Sequence, residues 1–205
     1  MLMSLDKIVN DYDLKIHGVL HIGAHYGEEY NDYVRNGIRK MIFFEPIHSN
    51  YLQLCKSIPN NDEIRIINQA LGNMKGITIM NIESANNGQS CSIFEPLKHL
   101  EQYPNIVFDK KEVVSIDKLD NIEFDRNQFN MINIDVQGYE LEVFKGAIET
   151  LPFIDIIYTE VNREELYKNC AMIDEIDTFL SDFGFVRILT DWTGGTWGDA
   201  LYLKK

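Results

Sequence analysis

Two kinds of hydrophobic pattern alternate along the chain. Runs that are apolar at nearly every position predict buried strands at Gly18–Gly23, Met41–Glu45, Ile64–Asn68, Met131–Asp135 and Phe153–Val161. Between them the apolar residues recur at helical spacing. Ser4–Tyr12 predicts a short N-terminal helix, capped by Ser4, with Leu5, Ile8 and Val9 on one face. Further helices are predicted over Glu28–Asn36 (Gly37 ending it), over Asn50–Ser57 capped by Ser49, around Leu141, Val143, Phe144 and Ala147, and over Met172–Phe183. Segments 76–82 and 111–117 alternate less cleanly and predict edge strands or an insertion. Two strands near Phe185–Thr190 and Ala200–Leu203, joined by the turn-rich Asp191–Asp199, predict a closing hairpin.

Strands apolar on both faces that alternate with helices imply an α/β fold: a doubly wound, mostly parallel seven-stranded sheet with an antiparallel C-terminal hairpin. No repeat and no Ser/Gly/Pro-rich linker divides residues 1–205, so one domain is expected, with residues 1–14 as an N-terminal helical segment. Ligands of such sheets bind beyond the carboxyl ends of the strands, where the strand order reverses. The polar segment 83–109 is long for a loop in a compact domain and is expected to overlie that crevice as a lid-like insertion.

Charge narrows the partners. With 19 Lys and Arg against 32 Asp and Glu, the net charge is −13, which disfavours nucleic acid and anionic membrane surfaces. The basic doublets Arg39-Lys40, Lys110-Lys111 and Lys204-Lys205 are not interleaved with aromatics. Cys55, Cys91 and Cys170 form neither a disulfide framework nor a zinc motif. The first thirteen residues lack the apolar core of a signal peptide, and no apolar run nears the roughly 18 residues that span a bilayer. A cytoplasmic location is expected, and nothing indicates an oligomeric state.

The candidate chemistry sits at the strand ends. The first strand closes in His21-Ile-Gly-Ala-His-Tyr-Gly27, whose glycines allow a tight turn into a helix N-terminus. Twenty-two residues past Gly23 the second strand ends in Glu45, where a carboxylate can accept both hydroxyls of a ribose. The spacing Gly23-x-x-x-Gly27 is not the Gly-x-Gly-x-x-Gly of a pyrophosphate cradle. A nucleoside without a pyrophosphate, such as S-adenosylmethionine, fits better than a dinucleotide, and the absent motif is what separates this reading from an oxidoreductase.

Six stretches then carry a resemblance: Val19-Leu-His-Ile-Gly-Ala-His-Tyr-Gly27, Phe43-Phe-Glu-Pro-Ile-His-Ser-Asn50, Gln69-Ala-Leu-Gly72, Val114-Ser-Ile-Asp-Lys-Leu119, Ile132-Asn-Ile-Asp-Val-Gln-Gly-Tyr-Glu140 with Lys145-Gly-Ala147, and Thr159-Glu160. In this order the chain resembles the FkbM-type S-adenosylmethionine-dependent methyltransferases. The resemblance implies the class I methyltransferase fold and a methyl-transfer activity on a hydroxyl of a small molecule, sugar or glycan. It implies that Gly23, Ala24, His25 and Gly27 line the methionine portion of the cofactor and that Glu45 holds the ribose. Pro46 then lies beside the adenine, Gln69 and Ala70 meet its edge, and Asp135 is counted with the cofactor-binding residues as well. The chain departs from the family where His21 replaces a usual acid and where Asn133 and Gln137 stand for a frequent Lys and Glu. Those departures also motivate a silent, nucleoside-binding alternative.

Asp135 and Glu160 end the fourth and fifth strands and face one crevice in such a sheet. With His25 they are the candidate bases for the proton of a weakly nucleophilic hydroxyl. Asp135 and Glu160 could instead hold Mg²⁺, although no third protein ligand is evident. Plainer readings stand beside these. His21 reads as a core histidine, Asp135 and Glu160 as helix caps, Asp199 as reaching the crevice mouth or as closing a turn, and Trp192 and Trp197 as packing or as a stacking wall for a sugar. His17, His48 and His99 have no companions in the sequence and receive no role.

Overall fold

The computed structural model describes residues 1–59 and 61–205. In chain order its elements are α1 (Leu5–Asp11), β1 (Gly18–Ile22), α2 (Tyr30–Arg35), β2 (Lys40–Phe44), α3 (His48–Ser57), β3 (Ile64–Ile67), β4 (Ala70–Leu71), β5 (Gly76–Glu83), α4 (Lys98–Gln102), β6 (Phe108–Asp117), β7 (Met131–Ile134), α5 (Glu140–Lys145), β8 (Ile156–Asn162), α6 (Ile173–Ser181), β9 (Phe185–Thr193) and β10 (Trp197–Lys204). Seven strands form the main sheet in the order β3-β2-β1-β7-β8-β10-β9. The first five pair in parallel, and β10 runs antiparallel to both β8 and β9. The order reverses between β1 and β7, so the crevice opens where those two strands end.

Alternation of side chains divides the core in two. Leu20, Ile22, Ile42, Phe44, Ile132, Ile134 and Ile157 point to one face, where Val143 and Phe144 of α5 and Ile176 and Leu180 of α6 cover them. Val19, Met41, Phe43, Met131 and Tyr158 point to the other, against α1, Tyr33 of α2 and Leu54 of α3. Because both faces are covered, the strands need no polar alternation, and β1 and β8 are buried at every position. The polar residues that do occur on the second face line up across the sheet: His21 is in register with Asn133, and Asn133 with Tyr158.

Several boundaries differ from the sequence expectation. Ser49 does not cap α3, which begins two residues earlier, at His48 behind Ile47. Pro46 already ends the strand, so the chain turns into the helix sooner. The helix expected from Glu28 starts at Tyr30, and residues 151–153 form a 3₁₀ turn ahead of β8. The hairpin strands are longer than expected: Asp191, Trp192 and Trp197–Asp199 pair in β9 and β10 instead of lying in a loop. Segments 76–82 and 111–117 lie in β5 and β6, which with β4 form a separate three-stranded sheet, not edges of the main one. Ser4 accepts from the Lys7 amide at 3.5 Å, and Gly37 at φ +77° follows α2, both as expected. Among the described residues no helix is long and apolar enough to cross a membrane.

Candidate functional site

A cavity of about 720 Å³ opens at the carboxyl ends of β1, β2, β7 and β8. The range for small-molecule sites is roughly 300–1,000 Å³. Gly23, Ala24, His25, Glu45, Pro46, Gln69, Ala70, Asp135 and Glu160 all line it. Gly27 does not. At φ +80° it turns the chain toward α3, and a Cβ there would press on Leu54 and Ile58. The left-handed backbone favours glycine at this turn. Gly23, also at φ +80°, allows the end of β1 to close on β7, because a side chain would strike the Asp135 carbonyl.

Glu45 is the buried acid of the β2 end. Its Oε2 accepts from the His25 amide and its Oε1 from the Ile47 amide, both at 2.9 Å. Asn68 clamps the following turn by donating to the Glu45 and Pro46 carbonyls at 2.8 and 2.9 Å. One backbone donor per oxygen leaves each oxygen a lone-pair site, an arrangement suited to two neighbouring hydroxyls. Burial pushes the carboxyl up to about 7, against the two amides that favour its charged form.

His25 is held at both ends of its ring. Nδ1 pairs with Glu28 at 2.7 Å and Nε2 with the Asn87 carbonyl at 2.8 Å, so the residue ties the β1 turn to the loop after β5. Burial alone would lower its pKa, but Glu28 and the Asn87 carbonyl outweigh that and raise it. Both ring nitrogens are paired, which places His25 as a latch between the turn and the loop. His21 is a buried core residue whose Nδ1 accepts from Tyr33 at 3.2 Å, while Asn133 donates to the same Tyr33 hydroxyl at 2.6 Å. Burial keeps its pKa below the usual value.

Acids gather at the floor. Glu160 stands in register with Asp199, and both share the β-face of Tyr158, which donates to Asp199. Asp199 also accepts from the Leu2 amide at 2.6 Å, so it lines the cavity instead of closing a turn. Between Asp135 and Glu160 lies Gln137, whose amide nitrogen donates to Asp135 Oδ1 at 2.7 Å and to Glu160 Oε2 at 2.9 Å. Gln137 reaches both from a left-handed backbone at φ +53°. Its Oε1 accepts from Tyr167 at 2.8 Å. Asp135 is open to the cavity, and the protein crowding it pushes its carboxyl up to about 6, Gln137 opposing and Asp199 adding to the shift. Glu160 is 3% exposed, and burial with the Asp135 and Glu140 charges holds it well above the carboxylate range.

Sequence reasoning found no third ligand for a cation; Glu140 supplies a third carboxylate, within 4.8 Å of the other two. The set nonetheless does not suit Mg²⁺. Glu140 Oε1 is committed to the amides of Val136 and Gly138, and the Gln137 amide already satisfies the facing oxygens of the other pair.

The rest of the lining comes from the polar segment 83–109 and from the hairpin. Asn86 and Gly88–Cys91 line the cavity, as do His99, Tyr103, Asn105 and Trp197. Trp197 donates its indole N–H to the Tyr103 hydroxyl at 2.8 Å, whereas Trp192 packs on the core beneath the Arg163 guanidinium. Tyr167 and His99 were not legible as site residues because their neighbours come from distant positions in the chain, and Gln137 stood out in sequence only as a departure from the family pattern, its bonds to Glu160 and Tyr167 being made by the fold.

A sequence model of the methyltransferase FkbM domain matches residues 21–187. The 2-O-methyltransferase NoeI of Sinorhizobium fredii is 26% identical over 191 residues, covering 89% of this chain and 77% of its own. Among solved structures, the magnesium protoporphyrin IX methyltransferase ChlM of Synechocystis with bound S-adenosylmethionine superposes with a TM-score of 0.56 at 8% identity, over 98% of this chain and 76% of its own. A NADB-Rossmann superfamily protein of Streptococcus agalactiae gives 0.54 at 12% identity, over 100% and 69%. At those identities the likeness is one of fold.

Proposed function

The chain belongs to the FkbM methyltransferase family, and on that premise we propose that it methylates a hydroxyl of a sugar or glycan. It is an S-adenosylmethionine-dependent methyltransferase with the seven-stranded fold of that class. The observation that carries the proposal is the unequal acid pair at the cavity floor. Asp135 is open to the cavity and pushed up to about 6, whereas Glu160 is buried and held above the usual carboxylate range by burial and the Asp135 and Glu140 charges. An exposed carboxyl beside a buried one gives the cavity one acid that can reach the proton of an acceptor. Asp135 is the acceptor.

In this reading Gly23, Ala24 and His25 border the methionine portion of the cofactor, Glu45 takes the ribose hydroxyls, and Pro46, Gln69 and Ala70 border the adenine. Glu45 fits that role because the backbone fixes both of its oxygens. S-adenosylmethionine supplies an electrophilic methyl group on a sulfonium. The chain's residues do the rest: they orient the acceptor, exclude water, and take the hydroxyl proton on an Asp135 carboxylate oxygen. Gln137 holds that carboxylate through the amide nitrogen it also gives to Glu160. Positioning and one proton transfer suffice for an in-line displacement at carbon. The segment 83–109 serves as the roof, latched through Asn87 to His25. No step passes through a metal.

An oxygen acceptor is supported by the relative named as a 2-O-methyltransferase, and the sugar class by the family resemblance. Gln137 argues against the silent alternative, since it orders the acid pair instead of dismantling it. Transfer of labelled methyl from S-adenosylmethionine to saccharides tests the proposal. Label on a sugar oxygen is expected, and label confined to nitrogen, carbon or non-sugar hydroxyls would overturn it.

A further inference from the structure

We propose that His99, with Tyr103 and Trp197, forms the acceptor subsite of this cavity, and that the subsite takes an uncharged polyhydroxylated ring and turns away phosphorylated or carboxylated ones. The inference rests on the sugar-hydroxyl reading above and adds the residue and the charge class.

His99 sits just inside the roof helix α4 and is 3% exposed. Its ring is caged by Tyr103, Tyr167 and Phe108, with centroids 5.0, 5.3 and 5.4 Å away. Nδ1 is enclosed with no hydrogen-bond partner. Buried polar atoms are almost always paired, so an unpaired one calls for an explanation. The imidazole lines the cavity beside Tyr103 and Trp197, and among the described residues no protein group pairs with that nitrogen. Burial keeps the ring below the usual histidine pKa, hence neutral and able to both donate and accept. That pairing capacity matches a hydroxyl, which also does both.

Trp197 and Tyr103, joined by their hydrogen bond, give the same end of the cavity a broad aromatic wall. His99 also communicates with the acid pair: its neighbour Tyr167 donates to Gln137, which binds Asp135 and Glu160. Charge sets the class of acceptor. Glu28, Glu29, Glu45, Asp135, Glu160 and Asp199 line the cavity, and among the described residues neither Lys nor Arg does. The cationic groups on the wall, the Met1 ammonium and His25, are already paired with Glu29 and Glu28, so a phosphorylated or carboxylated acceptor would meet an excess of like charge, a repulsive element that excludes wrong substrates.

The full chain is assayed with tritiated S-adenosylmethionine against methyl glucopyranoside, galactopyranoside and mannopyranoside, the matching hexose 6-phosphates and the matching uronates. Label is expected on the neutral glycosides. His99→Ala should raise the acceptor KM at least tenfold with a smaller change in kcat, His99→Asn should restore part of that loss, and cofactor affinity by calorimetry should stay within twofold. His99→Phe, which keeps the cage filled, guards against a folding defect and should behave like His99→Ala. Preference for phosphates or uronates, or an unchanged KM in both His99→Ala and His99→Phe, overturns the inference alone. Absence of label on every sugar with the wild type overturns the sugar-hydroxyl reading, and this inference falls with it.

Discussion

The amide nitrogen of Gln137 donates to Glu160 across 2.9 Å, and from the same atom to Asp135 across 2.7 Å. One neutral side chain therefore separates two carboxyls that would otherwise repel each other, and Tyr167 fixes its orientation from behind.

Replacing Gln137 by Ala removes that shared donor. Hydrogen bonds to charged groups contribute about 1.5–3 kcal/mol, so kcat should fall roughly ten- to a hundredfold. Cofactor affinity should change little, because Gln137 is not among the residues assigned to the cofactor. Steady-state kinetics paired with calorimetry measures both; a lost affinity with intact kcat would move Gln137 to the cofactor side.

His25→Ala distinguishes a latch from a base. Losing the bonds to Glu28 and the Asn87 carbonyl should free the loop, raising amide exchange across residues 86–91 about tenfold at a cost near 1 kcal/mol. Turnover should stay within threefold. A hundredfold loss of kcat with unchanged exchange would return His25 to the role of base.

Burial of Glu45 and Glu140 gives the ligand-free protein an unusual pH dependence. Each carboxyl rises from 4.5 to about 7 in the folded state. A raised carboxyl pKa means that the folded form holds more protons, so stability falls as pH climbs through the folded value. Between pH 6.5 and 8 each group should cost roughly 1 kcal/mol or less. The raised pKa of His25 acts in the same sense, being lost above its folded value. The lowered values of His21 and His99 oppose only below about pH 6.5. Urea midpoints at pH 6.5 and 8 check this. The midpoint should be lower at pH 8, and Glu45→Gln should flatten the difference; a higher midpoint at pH 8 contradicts the burial argument.

Much of the sheet was legible because a strand covered on both faces writes itself as an almost unbroken apolar run, as in Met41–Phe44 and in Met131–Ile134, where only Asn133 is polar. The acids at the ends of those runs were legible for the same reason: Glu45 and Asp135 break the run where the strand stops, and both line the cavity. The hairpin was shortened in the reading because Asp191, Trp192 and Trp197–Asp199 carry turn-like composition, yet their side chains are satisfied by pairing and by Tyr158. Gly27 is less telling than its neighbours, because a glycine that serves a left-handed turn looks the same in sequence as one that borders a ligand. His99 gave no local signal at all. Its cage is assembled from positions 103, 108 and 167, and only tertiary packing shows that its nitrogen is left unpaired.

The account turns on Glu45, and calorimetry of S-adenosylmethionine binding to the wild type and to Glu45→Ala measures it directly. A one-to-one complex with the wild type and a dissociation constant at least tenfold weaker in the variant are expected, since about 1.5–3 kcal/mol of charged hydrogen bonding is lost. Equal affinity in the two proteins, with the variant folded, would contradict the placement of the ribose and with it the reading of the cavity.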